Sequence, residues 1–189
     1  MAYRTLNLKT TGVSPLLLHN GQLADPLSPI VAEIKKVSGK RGKTEADHRE
    51  LARLEWLGSM YLRDGKPCVP GENIEATFVE AARKSRVGKQ ALAGIICPDA
   101  PLVEYNGPSD INELWLLPDF RLTVGAKVQR ARIMRTRPMF KEWALQFRLM
   151  FNDAVLNESQ VFEIMQVAGE LVGLCDWRPK FGRFVTAIV

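Results

Sequence analysis

The feature that most restricts the fold of this chain is a double change of hydrophobic period in its C-terminal part. From Phe120, the residues Leu122, Val124, Ala126 and Val128 alternate with Arg121, Thr123, Lys127 and Gln129, the pattern of a half-buried strand. A second strand is expected from Trp143 to Phe151, with Leu145, Phe147, Leu149 and Phe151 on one face. The period then lengthens. Val161, Ile164, Met165, Ala168, Leu171 and Val172 make a helical stripe, and Asn157 with Gln160 supplies its N-cap and N3 partner. After Gly169 and Gly173 comes a loop, then a last strand from Phe184 to Val189. Two strands, a helix and a strand in that order require sheet and helix to share one core, an α+β arrangement.

The first half fits in front of this unit. Tyr3 to Thr10 reads as a strand with Leu6 and Leu8 on one side and Asn7 and Lys9 on the other. A loop from Ser14 to Pro29 contains Leu16-Leu17-Leu18-His19-Asn20-Gly21, and Pro26 and Pro29 precede a short helix through Val37. Thr44 and Asp47 form a capping box for a helix whose apolar side is Leu51, Leu54, Leu57 and Tyr61. Pro70-Gly71 breaks the chain before another helix, with Ile74, Phe78, Ala81 and Ala82 on its inner face. Arg83, Lys84, Arg86 and Lys89 crowd its C-terminal end, where cations suit the helix dipole. From Gly94 to Pro118 prolines interrupt the chain and only short strands are legible.

Simplified, the order is β-α-β-β-α-β, a ferredoxin-like core of the RNA-recognition-motif type with a helical elaboration in the first half. Its second and third strands in chain order are 120–128 and 143–151. A chain of 189 residues, 46% hydrophobic and 25% charged, fits one domain spanning 1–189, with 12–68 and 94–118 as elaborations.

Charge is distributed unevenly along this frame. Net charge is +5, yet Phe120 to Lys141 holds seven basic residues and no acidic one, leaving the remainder at −2. Within it Arg130, Arg132, Arg135 and Arg137 precede Pro138, Phe140 and Trp143. Arg130 and Arg132 fall in the apolar register, so a bulge, bend or strand end is expected near Gln129. A solvated edge strand protected by charge is one reading. Four arginines without an acidic neighbour favour the other, phosphate binding, because guanidinium is the better bidentate ligand. The loop from Gly173 to Phe184 repeats the theme, with Arg178, Lys180 and Arg183 among Trp177, Phe181 and Phe184. Cations neutralise phosphates and aromatic faces stack on unpaired bases, although such aromatics also plug cores. Lys40, Arg41 and Lys43 form a third, glycine-punctuated basic loop.

Catalytic candidates are few. His19 lies in a loop beside Asn20 and Gly21, where general acid–base chemistry on RNA is conceivable, and Asp25 is a candidate carboxylate in the same loop. His48 falls in a charged helical turn. No nucleotide-binding glycine loop, metal-ligand cluster or cofactor motif is legible. Cys68, Cys97 and Cys175 lie far apart, which suggests buried thiols in a reducing compartment. Without a legible signal peptide or membrane span, a cytoplasmic protein with no membrane partner is expected.

The segment Val69-Pro70-Gly71-Glu72-Asn73-Ile74-Glu75-Ala76 resembles the helix start of the repeat-associated mysterious proteins (RAMPs). That superfamily holds the guide-RNA-binding backbone subunits and repeat-cutting endoribonucleases of CRISPR systems. Asn73 stands where the family has a small hydroxyl residue, and Glu75-Ala76 where it has Lys or Arg followed by glycine. The loop 173–184 looks like the family's glycine-rich loop, and the resemblance nominally spans the whole chain. The segments Arg135-Thr136-Arg137-Pro138-Met139-Phe140-Lys141-Glu142-Trp143 and Gly173 to Phe184 are also similar to segments of small phage and prophage proteins. The aromatic strand signature of an RNA-recognition motif is absent.

The RAMP resemblance implies a cofactor-free binder of single-stranded nucleic acid, RNA rather than DNA, in a homo-oligomer along the strand or in a ribonucleoprotein assembly. It also admits a metal-independent endoribonuclease using His19. A phage protein-interaction module, or an inhibitor mimicking a CRISPR subunit, is the third possibility.

Overall fold

Alternation at both ends of the chain is resolved by pairing those ends with each other. The computed structural model describes residues 3–128 and 131–189. Its elements are β1 (Tyr3–Gly12), β2 (Leu16–Leu17), α1 (Pro29–Ser38), α2 (Glu45–Ser59), β3 (Leu62–Arg63), β4 (Lys66–Pro67), α3 (Gly71–Lys84), α4 (Gly88–Gly94), β5 (Ile95–Ile96), α5 (Ile111–Leu116), β6 (Arg121–Val128), β7 (Ala131–Phe140), β8 (Ala144–Asn152), α6 (Glu158–Val167) and β9 (Phe184–Ile188). The class is α+β.

The main sheet is antiparallel, in the order β5-β8-β1-β9. Opposite pairs Leu6–Leu149, Leu8–Phe147 and Thr10–Leu145 bury one face. That face belongs to the same core as Ile74, Phe78, Ala81 and Ala82 of α3 and Val161, Ile164 and Met165 of α6. The other face is polar, with Asn7, Gln146 and Arg148 exposed. Both expected helix caps form: Thr44 with Asp47 on α2 and Asn157 with Gln160 on α6.

Three expectations are corrected. Residues 120–128 do not join the main sheet. The strand beside β8 is the two-residue β5, inside the segment from Gly94 to Pro118. β6 instead pairs with β7 from Arg121–Pro138 to Val128–Ala131, and β2 joins the far edge of β7 at Phe140 and Met139. Period-two alternation shows that a strand is half-buried but not what it pairs with, and two residues are too few to display a period. β7 buries Thr136, Pro138 and Phe140, and this hairpin packs on α2 rather than on the central sheet.

Second, Gly94 to Pro118 is not limited to short strands. Ile111–Leu116 is helical, with the Asp110 carboxylate accepting from the amides of Asn112 at 2.6 Å and Glu113 at 3.1 Å.

Third, Leu171 leaves the apolar stripe. α6 continues from Ala168 to Val172 as a π-helical turn, closed by the Gly173 amide donating to the Ala168 carbonyl at 2.8 Å. The wider turn rotates the following side chains, so Leu171 is 50% exposed while Val172 stays buried. The irregularity expected at Gln129 and Arg130 lies outside the described residues.

Candidate nucleic-acid interface

The loop 173–183 is pinned by backbone bonds to the segment after β1. The Leu174 amide donates to Gly182, the Gly182 amide to Pro15 and the Asp176 amide to Leu17, at 2.8, 2.8 and 2.9 Å. The Arg183 amide donates to Ser14 Oγ at 2.9 Å. Gly182 has φ +73°, and a Cβ there would lie 2.0 Å from the Leu174 carbonyl oxygen, so only glycine closes the loop. Trp177 is thereby displayed at the surface, 44% exposed, with its ring centroid 5.4 Å from Phe181. Lys180 Nζ sits 5.0 Å from the Trp177 ring centre. Phe181 and Phe184 are buried, so of these three aromatics Trp177 alone offers a face to a base.

The β7 arginines meet carboxylates that the linear sequence holds far away. Arg137 pairs with Asp176 of the loop, and Arg135 pairs with Glu55 of α2. Glu55 also accepts the Thr136 amide at 3.3 Å, taking the edge position beside β7 that β2, paired only at Leu16 and Leu17, does not fill. Arg178 donates to Thr77 Oγ1 at 3.2 Å and lies 3.5 Å from Glu80 on α3. Arg183 Nε donates to the Pro179 carbonyl at 2.9 Å, and its side chain remains on the surface. Arg132 lies in β7 opposite Lys127, while Arg130 is outside the described residues. Phe140 and Trp143 are core residues.

The basic loop before α2 stands apart from this grouping. Lys40 pairs with Asp47 at 2.6 Å, Lys43 donates to the Lys40 carbonyl at 3.0 Å, and Arg41 is exposed. Those first two contacts stabilise the start of α2, with Asp47 in its capping box.

Where loop, β2 end and α3 converge, a cleft of about 110 Å³ is lined by His19, Tyr61, Asn73, Ala76, Cys175, Asp176 and Arg178. The Tyr61 hydroxyl donates to the His19 carbonyl at 3.0 Å and fixes that turn. Partial burial lowers the His19 pKa, with Arg137 adding to the effect and Asp176 opposing it. The imidazole is therefore neutral at pH 7, able to accept a proton or a hydrogen bond. Burial pushes the Cys175 thiol up to about 12, which makes it a poor nucleophile. Asp25 is not part of the lining; its carboxylate accepts the Leu27 amide at 2.9 Å. His48 is exposed on α2. Among the described residues no group of His, Cys, Asp or Glu has a metal-holding arrangement.

The structure thus brings His19 and Arg178 together in the cleft lining, joins Arg137 to it through Asp176, carries Trp177 and Lys180 on the same loop, and leaves Asp25, Lys40, Arg41 and Lys43 elsewhere. Sequence reasoning missed Tyr61, Asn73, Glu55 and Asp176 as parts of the site. Asn73 and Asp176 lie in the two segments that carry the RAMP resemblance, a usable signal. Glu55 and Tyr61 have none, being a helix-surface acid and a residue at the end of an apolar stripe. Neither a protein-family model nor a curated protein matches the chain. Among the described residues no helix is long and apolar enough to cross a membrane.

Proposed function

We propose that the chain binds the sugar–phosphate backbone of single-stranded nucleic acid, RNA in preference to DNA, at this cleft. The observation that carries the reading is the placement of Lys180 and Arg183, which join no ion pair among the described residues, with the exposed ring of Trp177 on one pinned loop that also supplies Arg178 to the cleft lining. Cations meet phosphates, and an aromatic face accepts any base, which gives sequence-tolerant binding. RNA is preferred because His19, Asn73 and the Asp176 carboxylate can accept from or donate to a 2′-hydroxyl. The loop, where Trp177 stands beside Lys180, is read as the stacking surface; the exposed face of the main sheet is mainly polar, with Tyr3 at the start of β1 as its exposed aromatic.

The core is read as ferredoxin-like. Its support is the strand order β9-β1-β8-β5 with α3 and α6 as the connecting helices, which fits β-α-β-β-α-β once β6 and β7 count as an insertion. This order is compatible with the RAMP resemblance and with subunits that assemble along one strand.

Fluorescence anisotropy with a labelled single strand tests the proposal. Combined Lys180→Gln and Arg183→Gln should weaken binding at least about tenfold at 0.1 M salt, from two lost charge-assisted contacts. Unchanged affinity in a folded double variant removes the reading. A second reading, a metal-independent endoribonuclease, is favoured by the placement of neutral His19 in the cleft lining. Its test turns on His19 alone and is argued below.

A further inference from the structure

The corner between α3 and α4 carries the molecule's other concentration of positive charge, and its cations differ from those of the cleft. From Ala81 to Pro98 the sequence contains Arg83, Lys84, Arg86 and Lys89 and no acidic residue. All four side chains are exposed. Arg135, Arg137 and Arg178 each meet a carboxylate, whereas none of the ion pairs among the described residues involves a corner cation.

The helix dipole accounts for only part of this charge. Arg83 and Lys84 lie in the last turn of α3, where a cation is favoured. Lys89 lies in the first turn of α4, where the dipole disfavours one and no acid offsets it. Arg86 sits between the helices at φ +63°, a conformation a non-glycine residue adopts only at a cost.

Together Arg83, Arg86, Gly88, Lys89, Gln90 and Leu92 line an open groove of about 570 Å³, several times the cleft. Gly88 is needed for its shape, because a Cβ there would lie 2.5 Å from Arg83 Cγ. Leu92, 70% exposed, gives the groove an apolar wall.

The groove is linked to the cleft. A shallow depression along α3 is lined by Arg178, Ala76, Val79, Glu80, Arg83 and Leu92 among others; it shares Arg178 and Ala76 with the cleft and Arg83 and Leu92 with the corner. Of the acids in this stretch, Glu75 accepts the Cys97 amide at 2.7 Å and Glu80 faces Arg178, leaving Glu72. From Ala76 to Lys84 the path follows α3 for about 12 Å at the helical rise, and Arg86 lies just beyond its end.

We infer that the α3–α4 corner is a second phosphodiester-binding surface, where the strand held at the cleft leaves the subunit along α3. The assignment rests on the proposed nucleic-acid reading. Unpaired cations bind phosphate without first surrendering a protein carboxylate, so the corner supplies more of the salt-sensitive affinity than its distance from the cleft suggests.

The test compares three full-length proteins binding a labelled single strand across a salt series: the unmodified chain, Arg86→Asn with Lys89→Gln, and Lys180→Gln with Arg183→Gln. Asn tolerates the left-handed conformation at position 86, so this variant should keep its unfolding midpoint. The corner variant should lose about tenfold in affinity at 0.1 M salt, and its log–log salt slope should fall by about 1.4, at 0.7 per phosphate contact. A corner variant that binds with unchanged affinity and slope, while the cleft variant fails, overturns this inference and leaves the function reading intact. Absence of strand binding by the unmodified chain overturns both. Equal weakening of the corner variant toward polyglutamate and toward the strand assigns the groove to acidic protein and overturns the phosphodiester assignment.

Discussion

His19 is held in its neutral form by partial burial and by the Arg137 guanidinium. A phosphate placed in the cleft would favour the imidazolium, so the pKa of His19 is raised in the bound state relative to the free one. This part of the affinity is therefore fully present below the lowered pKa of the free protein and is lost as pH rises through the bound-state pKa. One partly exposed charge pair is worth about 0.5–1 kcal/mol, so affinity should rise by at most about two- to fivefold as pH falls through that window. His19→Asn should flatten that dependence. The same titration separates grip from chemistry. Cleavage needs His19 within hydrogen-bond reach of a 2′-hydroxyl or leaving oxygen, and Cys175 is no substitute nucleophile. We expect labelled RNA to stay intact with the protein in EDTA across this pH range. Cuts that His19→Ala abolishes would establish the endoribonuclease reading instead.

Between elements, the π-helical turn at Ala168–Val172 decides how the chain reaches the loop, and substitution can read its register. Leu171 points outward, so Leu171→Ala should change stability by less than about 0.5 kcal/mol in urea unfolding. Met165→Ala, at a fully buried site of the same helix, should cost about 2–5 kcal/mol. A cost above about 2 kcal/mol at Leu171 would mean that the helix continues without the turn. The contrast also marks what the sequence discloses. The apolar spacing of α3 and α6, the two capping boxes and the alternation of β1 and β8 are local properties, and each was legible. The π turn was not, because its residues satisfy an ordinary helical stripe. Nor was the pairing of β6 with β7, since alternation specifies a buried face but no partner. The site divides in the same way. The basic-aromatic loop was visible, but Glu55, Asp176 and Glu80 neutralise arginines through contacts that no local pattern records.

Across the whole molecule, the excess positive charge at 120–141 shrinks once the chain folds. Arg135, Arg137 and Lys141 acquire carboxylate partners, and Arg121 lies over the Trp115 ring at 4.5 Å. Among the described side chains, the cations along the proposed path that join no ion pair include Lys180 and Arg183 beside the cleft and Arg86 and Lys89 at the corner, and these four are taken as the contacts. Only cations not already neutralised by the protein release counterions from a strand. Four phosphate contacts should give a log–log salt slope of about −3, whereas adding Arg135, Arg137 and Arg178 would give about −5. We expect the shallower value between 50 and 300 mM salt, on the order of conditions where that relation holds. Asp176→Asn should move the slope toward the steeper value by releasing Arg137 to phosphate, and should strengthen binding by about 0.5–1 kcal/mol. A slope near −5 in the unmodified chain would mean that the strand displaces the carboxylates, making the ion pairs a latch that opens on binding. A slope near zero would leave no role for the phosphate backbone and would favour a protein partner.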